Sequence, residues 1–252
     1  MDFEAMLMFK LGKKPVKLDN RNIKFSKLLK VELLPTIPES YDCDRQNICP
    51  EQMFGNDQLG DCVLAARANQ TLRFQFYQQN CIVPITTQDC VNEYYSEEGG
   101  QVDEGLVMLD SLNEWRQKGW PISDGHTYSI DAFASLDFTN LTEVKAGIYL
   151  LNGLQTGMQV PQSAMDQFQS GLSWDIVDDD GGNLGGHAIY IVGFNLSGPV
   201  CVSWSKKQQM SWNFWTKYVD ECYGVVDNMD SWVARDPLDI PLLQQYLDEV
   251  TK

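Results

Sequence analysis

Two residues far apart in the chain have the types and settings needed for nucleophilic chemistry on an acyl carbon. Cys62 ends a polar, glycine-containing loop, Gly55-Asn56-Asp57-Gln58-Leu59-Gly60-Asp61, and opens the apolar run Val63-Leu64-Ala65-Ala66. That places a thiol in the first turn of a helix. Unpaired N–H groups and the dipole at a helix start favour thiolate over thiol, and the thiolate is the nucleophile. His187 follows 125 residues later, after Gly185-Gly186 and at the mouth of the apolar strand Ala188-Ile189-Tyr190-Ile191-Val192-Gly193-Phe194. A base fixed on a rigid strand could present one ring nitrogen to a thiol. The other histidine, His126, falls in the turn Ser123-Asp124-Gly125-His126-Thr127-Tyr128, where a solvated side chain is expected.

The elements that must position these two groups can be read from periodicity. Leu64, Ala68, Leu72 and Phe76 recur every four residues while Arg67, Gln70, Arg73 and Gln78 fall mostly elsewhere, which predicts an amphipathic helix from Cys62 to Gln79 with Asp61 as its N-cap. A second helix is expected over Thr87–Glu97, stopped by Gly99-Gly100. A third is expected from near Asp103, carrying Leu106, Leu109, Leu112 and Trp115 to Gly119-Trp120-Pro121. Beyond residue 145, Ile148-Tyr149-Leu150-Leu151, Ala188–Phe194 and Pro199–Trp204 read as buried strands separated by turns. The reading is an α+β chain: a basic extended arm over 1–40, a helical lobe over 41–145 carrying Cys62, a β-rich lobe over 146–240 carrying His187, and a tail over 241–252.

A cysteine at a helix start, then His187-Ala188 leading an aliphatic strand, then Ser203-Trp204 resembles the papain-like cysteine peptidases from about residue 50 to 226. Three further segments, Leu109-Asp110-Ser111-Leu112-Asn113-Glu114-Trp115-Arg116, Met210-Ser211-Trp212-Asn213-Phe214-Trp215 and Tyr218-Val219-Asp220-Glu221, are similar to uncharacterised papain-like proteins of bacterial and phage genomes. The resemblance implies two lobes, helical and β-barrel-like, with substrate in the cleft between them, Cys62 as nucleophile and His187 as general base. It also implies an amide donor to the oxyanion. Asn56 stands at the family's register and Gln58 has the better reach, and loss of such a donor typically costs about 2.7–4 kcal/mol.

The chain departs from the family where Asn-Ser-Trp-Gly is expected and Val202-Ser203-Trp204-Ser205 stands. Valine cannot accept the hydrogen bond that orients the imidazole, so Ser203 or a backbone carbonyl must hold the ring and a weakened hydrolase is expected. Trp204 would shield the pair from water, and Gly186 would line the cleft. Asp61, directly before the thiol, adds a charge that opposes thiolate formation.

Composition bounds the rest. With 252 residues, 43% of them hydrophobic, and no run of eighteen apolar residues, a large core is expected and a membrane span is not. The net charge is −16, yet the first thirty residues carry eight Lys or Arg against three acids, leaving the body at −21. A body this acidic repels phosphate backbones, so no nucleic-acid partner is expected for it. The basic arm suits docking on an acidic surface, its own or that of a neighbouring subunit. Seven cysteines without a CxxC pair argue against a disulfide framework and a zinc ribbon, and the first residues lack the pattern of a secretory signal, so a cytoplasmic chain is expected.

Asp178-Asp179-Asp180-Gly181-Gly182-Asn183 lacks the twelfth-position Glu of a calcium loop and reads as a solvated turn. No phosphate loop or dinucleotide fingerprint appears, and no metal or cofactor is expected. Two functions follow: a thiol hydrolase of peptide or isopeptide bonds, or a non-enzymatic papain-fold assembly protein, such as a phage virion component, docking through its arm.

Overall fold

The spacing from Leu64 to Phe76 produces one helix over Cys62–Gln79, as the sequence predicts, ended by Asn80 in the left-handed region at φ 52°. The computed structural model describes residues 9–44, 47–227 and 237–250. The first eight residues of the basic arm, residues 228–236 of the expected β-rich lobe and residues 251–252 of the tail lie outside the described residues.

In chain order the elements are α1 (Phe25–Leu28), β1 (Tyr41–Asp42), α2 (Cys62–Gln79), α3 (Thr87–Glu98), α4 (Met108–Gln117), β2 (Trp120–Pro121), β3 (Thr127–Tyr128), β4 (Ala132–Ser135), α5 (Leu141–Leu151), β5 (Leu154–Pro161), α6 (Gln162–Gln169), β6 (Asn183–Phe194), β7 (Pro199–Ser203), β8 (Lys206–Gln209), α7 (Trp212–Tyr218), β9 (Val219–Val226) and α8 (Ile240–Val250). The main sheet runs β4-β9-β5-β6-β7-β8, antiparallel throughout, with β1 paired to the end of β6. Among the described residues it does not close into a barrel.

Helix α2 lies on one face of β6, and the sheet separates two cores. One joins α2, α3 and α4 through Leu64, Leu72, Tyr94, Leu112 and Trp115. The other gathers α5, α6 and α7 on the sheet through Ile148, Phe168, Ile191 and Trp215. Strand β4 falls in the stretch expected to be the helical lobe yet pairs with β9, so the two lobes interlock.

Several expectations change. Helix α2 is not amphipathic: residues 62–75 are buried on every side, including Arg67, Gln70 and Arg73. Each finds a partner inside the protein, because a helix wedged between two lobes has no solvent face. Arg67 meets Glu97 at 2.5 Å and the Ser111 carbonyl at 2.7 Å, Arg73 meets Asp44 at 2.8 Å, and Gln70 accepts from Gln155 at 2.7 Å.

Residues 148–151 are helical rather than a strand. The Asn140 side chain caps α5 by accepting from the Glu143 N–H at 3.3 Å, and Asn152 stops it at φ 51°. Val144, Ala146, Ile148, Leu150 and Leu151 are all buried and Thr142, Lys145 and Tyr149 reach the outer face, so residues 148–151 taken alone read as an unbroken apolar run. Helix α4 starts at Met108, not near Asp103. Asp103 sits in a turn at φ 53°, where its carboxylate accepts from the Gly60 N–H at 2.7 Å and the Tyr94 hydroxyl at 2.8 Å.

The arm is not wholly extended: it includes α1, and α8 of the expected tail packs beside α1. The Asp178–Asp180 turn is capped by its own carboxylates, and Asp180 is bound by Lys217 at 3.1 Å and the Tyr218 hydroxyl at 2.6 Å. All seven cysteines are free thiols. Among the described residues no helix is long and apolar enough to cross a membrane.

Candidate active site

The loop Gly55–Gly60 brings Cys62 to the first turn of α2, and β6 brings His187 to the same place. The backbone N–H of Ala188 donates to Cys62 Sγ at 3.4 Å, so the residue next to the imidazole sits on the sulfur. Both side chains are 1% exposed.

His187 Nε2 lies 2.8 Å from Ser203 Oγ, and Nδ1 has no hydrogen-bond partner among the described residues. The Trp204 indole stacks on the imidazole, with ring centroids 4.2 Å apart at an interplanar angle of 16°. Strand parity explains why Ser203 rather than its neighbour holds the ring. Val202 pairs with Tyr190 and packs against Ala66 of α2, whereas Ser203 projects to the opposite face. Trp204 and Ser205 form a two-residue hairpin turn between paired Ser203 and Lys206, with φ 43° and 62°, the positive values a type I′ turn demands. A tryptophan held there is strained, and the strain aims its ring over the histidine.

The two amide candidates part company. Asn56 is buried, its Nδ2 donates to the Leu59 carbonyl at 3.0 Å, and it stands beside Asp61; the Gln58 side chain is exposed. Asp61 occupies the N-cap position of α2 but makes no side-chain capping bond, contrary to expectation. Burial pushes its carboxyl up to about 8, against the charge-favouring Asn56 amide beside it. It is therefore largely protonated at neutral pH, which removes most of the negative charge that would oppose a thiolate.

This pKa has a consequence for stability. The native state holds a proton on Asp61 that the unfolded chain releases near 3.8, so the stability that proton confers is complete below about 4 and is lost as pH rises toward 8. The slope is at most about 1.4 kcal/mol per pH unit. Asp61→Asn removes the titration, so its urea midpoint should exceed that of the natural chain by a margin that grows from pH 5 to pH 8. A margin that does not change over that range would refute the assignment.

The basic arm, whose charge suits docking on the acidic body, covers the sulfur. Residues 9–14 of the arm run over Cys62 as an extended segment, bridged at Lys13 to Leu106 and Gly186. The Lys10 N–H donates to the Asn56 carbonyl at 2.9 Å, the Leu106 N–H to the Gly12 carbonyl at 2.8 Å, the Lys13 N–H to the Gly186 carbonyl at 3.1 Å and the Lys14 N–H to the Leu106 carbonyl at 2.8 Å. The Gly186 carbonyl, one residue before His187, is thus held by the arm. Phe9 packs on Trp204 and Phe168, with centroids 5.1 Å away in each case.

Gly12 fills the narrowest point: a Cβ on it would stand 1.7 Å from the Gly60 carbonyl oxygen. The arm's cations meet the body's carboxylates, Lys17 with Asp110 at 2.7 Å and Lys13 with Asp220 and Glu221 at 3.1 and 3.0 Å. The charge of the arm marks its docking on the body, but nothing in the arm marks which groove it takes, because the groups that hold it are all distant in sequence.

Burial sets the charge state of the covered pair. It pushes the Cys62 thiol up to about 11, although the N–H groups of Ala188 and Gly12 favour the thiolate, and it lowers His187 to about 3. With the arm in place both are neutral at pH 7.

No protein-family profile matches the chain, and no curated protein matches it in sequence. Solved structures do match in shape. Xylellain, a cysteine protease from Xylella fastidiosa, superposes with a TM-score of 0.71 at 14% identity, covering 88% of this chain and 97% of that one. Procathepsin B S9 from Trypanosoma congolense gives 0.65 at 13% identity, with 90% and 89% covered. The Carica candamarcensis cysteine protease CMS1MS2, solved with E-64, gives 0.56 at 13% identity, with 76% and 100% covered. The chain has the two-lobe fold of papain-like cysteine proteases.

Proposed function

We propose that the protein is a thiol hydrolase of peptide or isopeptide bonds, held latent by its own arm. The observation that carries this reading is the setting of His187: Nε2 on Ser203, Nδ1 without a partner, Trp204 over the ring and the neighbouring N–H on Cys62 Sγ. With the Nε2 proton given to Ser203, Nδ1 is the bare nitrogen that takes the thiol proton. The sulfur then attacks the acyl carbon, the carbon–nitrogen bond breaks, and His187 returns the proton to the leaving amine. Water releases the acyl group in the second half.

Asn56, whose backbone already lines the cleft, is the side-chain amide we assign to the oxyanion together with the Cys62 N–H; Gln58 faces solvent. A hydroxyl orients imidazole less rigidly than a planar amide does, so turnover is weaker than an Asn would support. The full chain carrying Gly12→Val, which cannot seat the arm against Gly60, should generate new amino termini from a diverse peptide library, and Cys62→Ser and a peptidyl epoxide should both abolish them. Library peptides left intact, with all seven cysteines alkylated slowly and uniformly, would instead favour the papain-fold assembly protein.

A further inference from the structure

Among the described residues Lys13 is the one cation of the arm that is buried. Its side chain is 0% exposed, and its Nζ sits 3.1 Å from Asp220 Oδ2, 3.0 Å from Glu221 Oε1 and 3.3 Å from the Lys14 carbonyl. The pocket around it belongs to β5 and β9. Gln159 donates to Asp220 Oδ2 at 2.6 Å and the Tyr223 hydroxyl donates to Glu221 Oε2 at 2.9 Å, which fixes both carboxylates without neutralising them. The floor is Gly157, where a Cβ would lie 2.1 Å from Lys13 Cε and 2.7 Å from Glu221 Cγ. Any other residue there would close the slot.

The main chain beside this side chain is held by wall groups that any extended peptide could use: Leu106 bridges it on one side and Gly186 on the other. Gly12, the adjacent residue, lies on the sulfur. The pocket is therefore one residue away from the point where a bound peptide passes Cys62. Once the arm has left, the buried Glu221 and the partly exposed Asp220 face an empty slot shaped for a long unbranched stem. Leaving them unpaired is costly, and a cation on a flexible aliphatic chain is the complement they lack.

We propose that the pocket formed by Gly157, Asp220 and Glu221 selects substrates, taking a lysine or arginine side chain placed within two residues of the bond held at Cys62. The arm carries Lys13 because it borrows that site. This rests on the peptidase reading but is separable from it, since selection is a property of binding.

The test uses the full chain with Cys62→Ala to stop chemistry and Gly12→Val to expel the arm. Fluorescent peptides Leu-Gly-X-Lys-Val, with X as lysine, arginine, norleucine or glutamate, are titrated by polarisation. Lysine and arginine should bind at least about tenfold more tightly than norleucine, and Asp220→Asn with Glu221→Gln should shrink that preference to within about threefold. Lys13→Glu, which expels the arm by charge repulsion rather than bulk, should give the same ranking. Equal binding of the four peptides, or none in either arm-expelled variant, would overturn the proposal and leave Lys13 as a latch alone. Selective binding without cleavage when Cys62 is restored would refute the hydrolase and spare the pocket; cleavage indifferent to X would do the reverse.

Discussion

Gly12→Val is expected to raise the rate at which iodoacetamide alkylates Cys62 at pH 7 by at least about a hundredfold. The side chain cannot be accommodated where the arm lies: its first carbon would stand 1.7 Å from the Gly60 oxygen and 2.2 Å from the Gly60 carbonyl carbon. Both are backbone atoms at the entry to α2, and Gly60 is tied further by its N–H to Asp103. The arm must yield. Four wall hydrogen bonds span Lys10 to Lys14, each contributing about 0.5–1.5 kcal/mol net. Losing them together with the burial of Phe9 and Lys13 is ample for a hundredfold shift toward the open form, since about 2.7 kcal/mol corresponds to that factor.

The pH profile adds a second reading of the same event. While the arm covers the sulfur, alkylation should climb roughly tenfold per pH unit toward the thiol's value of about 11. In Gly12→Val, with water readmitted to sulfur and imidazole, the climb should flatten near neutrality as burial ceases to disfavour the charged pair. Gly100→Val is the control, because the space around Gly100 holds nothing closer than a Val102 methyl at 3.8 Å. An unchanged alkylation rate in a folded Gly12→Val chain would show that the arm does not gate the thiol.

What was legible in the sequence divides along a physical line. The start of α2 at Cys62 is set by local signals, a glycine-bearing polar loop before an apolar period, and the structure places it there; the aliphatic run after His187 is likewise a strand, but β6 begins at Asn183, so Gly185-Gly186 lie within the strand rather than in a turn before it. The burial of Arg67, Gln70 and Arg73 was not legible, because a helix packed on all sides recruits partners from α3, α4 and β5 that no period announces. Helix α5 was hidden for a different reason: residues 148–151 taken alone read as an unbroken apolar run. The arm's course was invisible: nothing in Leu11-Gly12-Lys13 distinguishes a strand bound in a cleft from a solvated tail until Gly60, Gly157 and Gly186 are seen around it. The orienting role was legible only as a choice: with Val202 at the asparagine's position, Ser203 or a backbone carbonyl had to hold the ring, and strand parity hands it to Ser203.

That last point leads to the other large effect. In the Gly12→Val background, His187→Ala should lower peptide hydrolysis by about a thousandfold or more, in the range expected when a general base is removed. Ser203→Ala should cost far less, on the order of tenfold, because the indole of Trp204 still confines the ring while Nε2 loses its 2.8 Å partner. The two losses differ in kind as well as size. Without His187 the alkylation of Cys62 should keep rising with pH as an isolated thiol does. Without Ser203 the neutral-pH plateau should persist, but at a lower level, because the imidazole spends part of its time in rotamers or tautomers that turn Nδ1 from the sulfur. Ser203→Asn should recover activity if its amide oxygen reaches Nε2 from the same strand face. A Ser203→Ala chain with undiminished turnover would mean that Trp204, held over the ring by its strained turn, orients the base unaided.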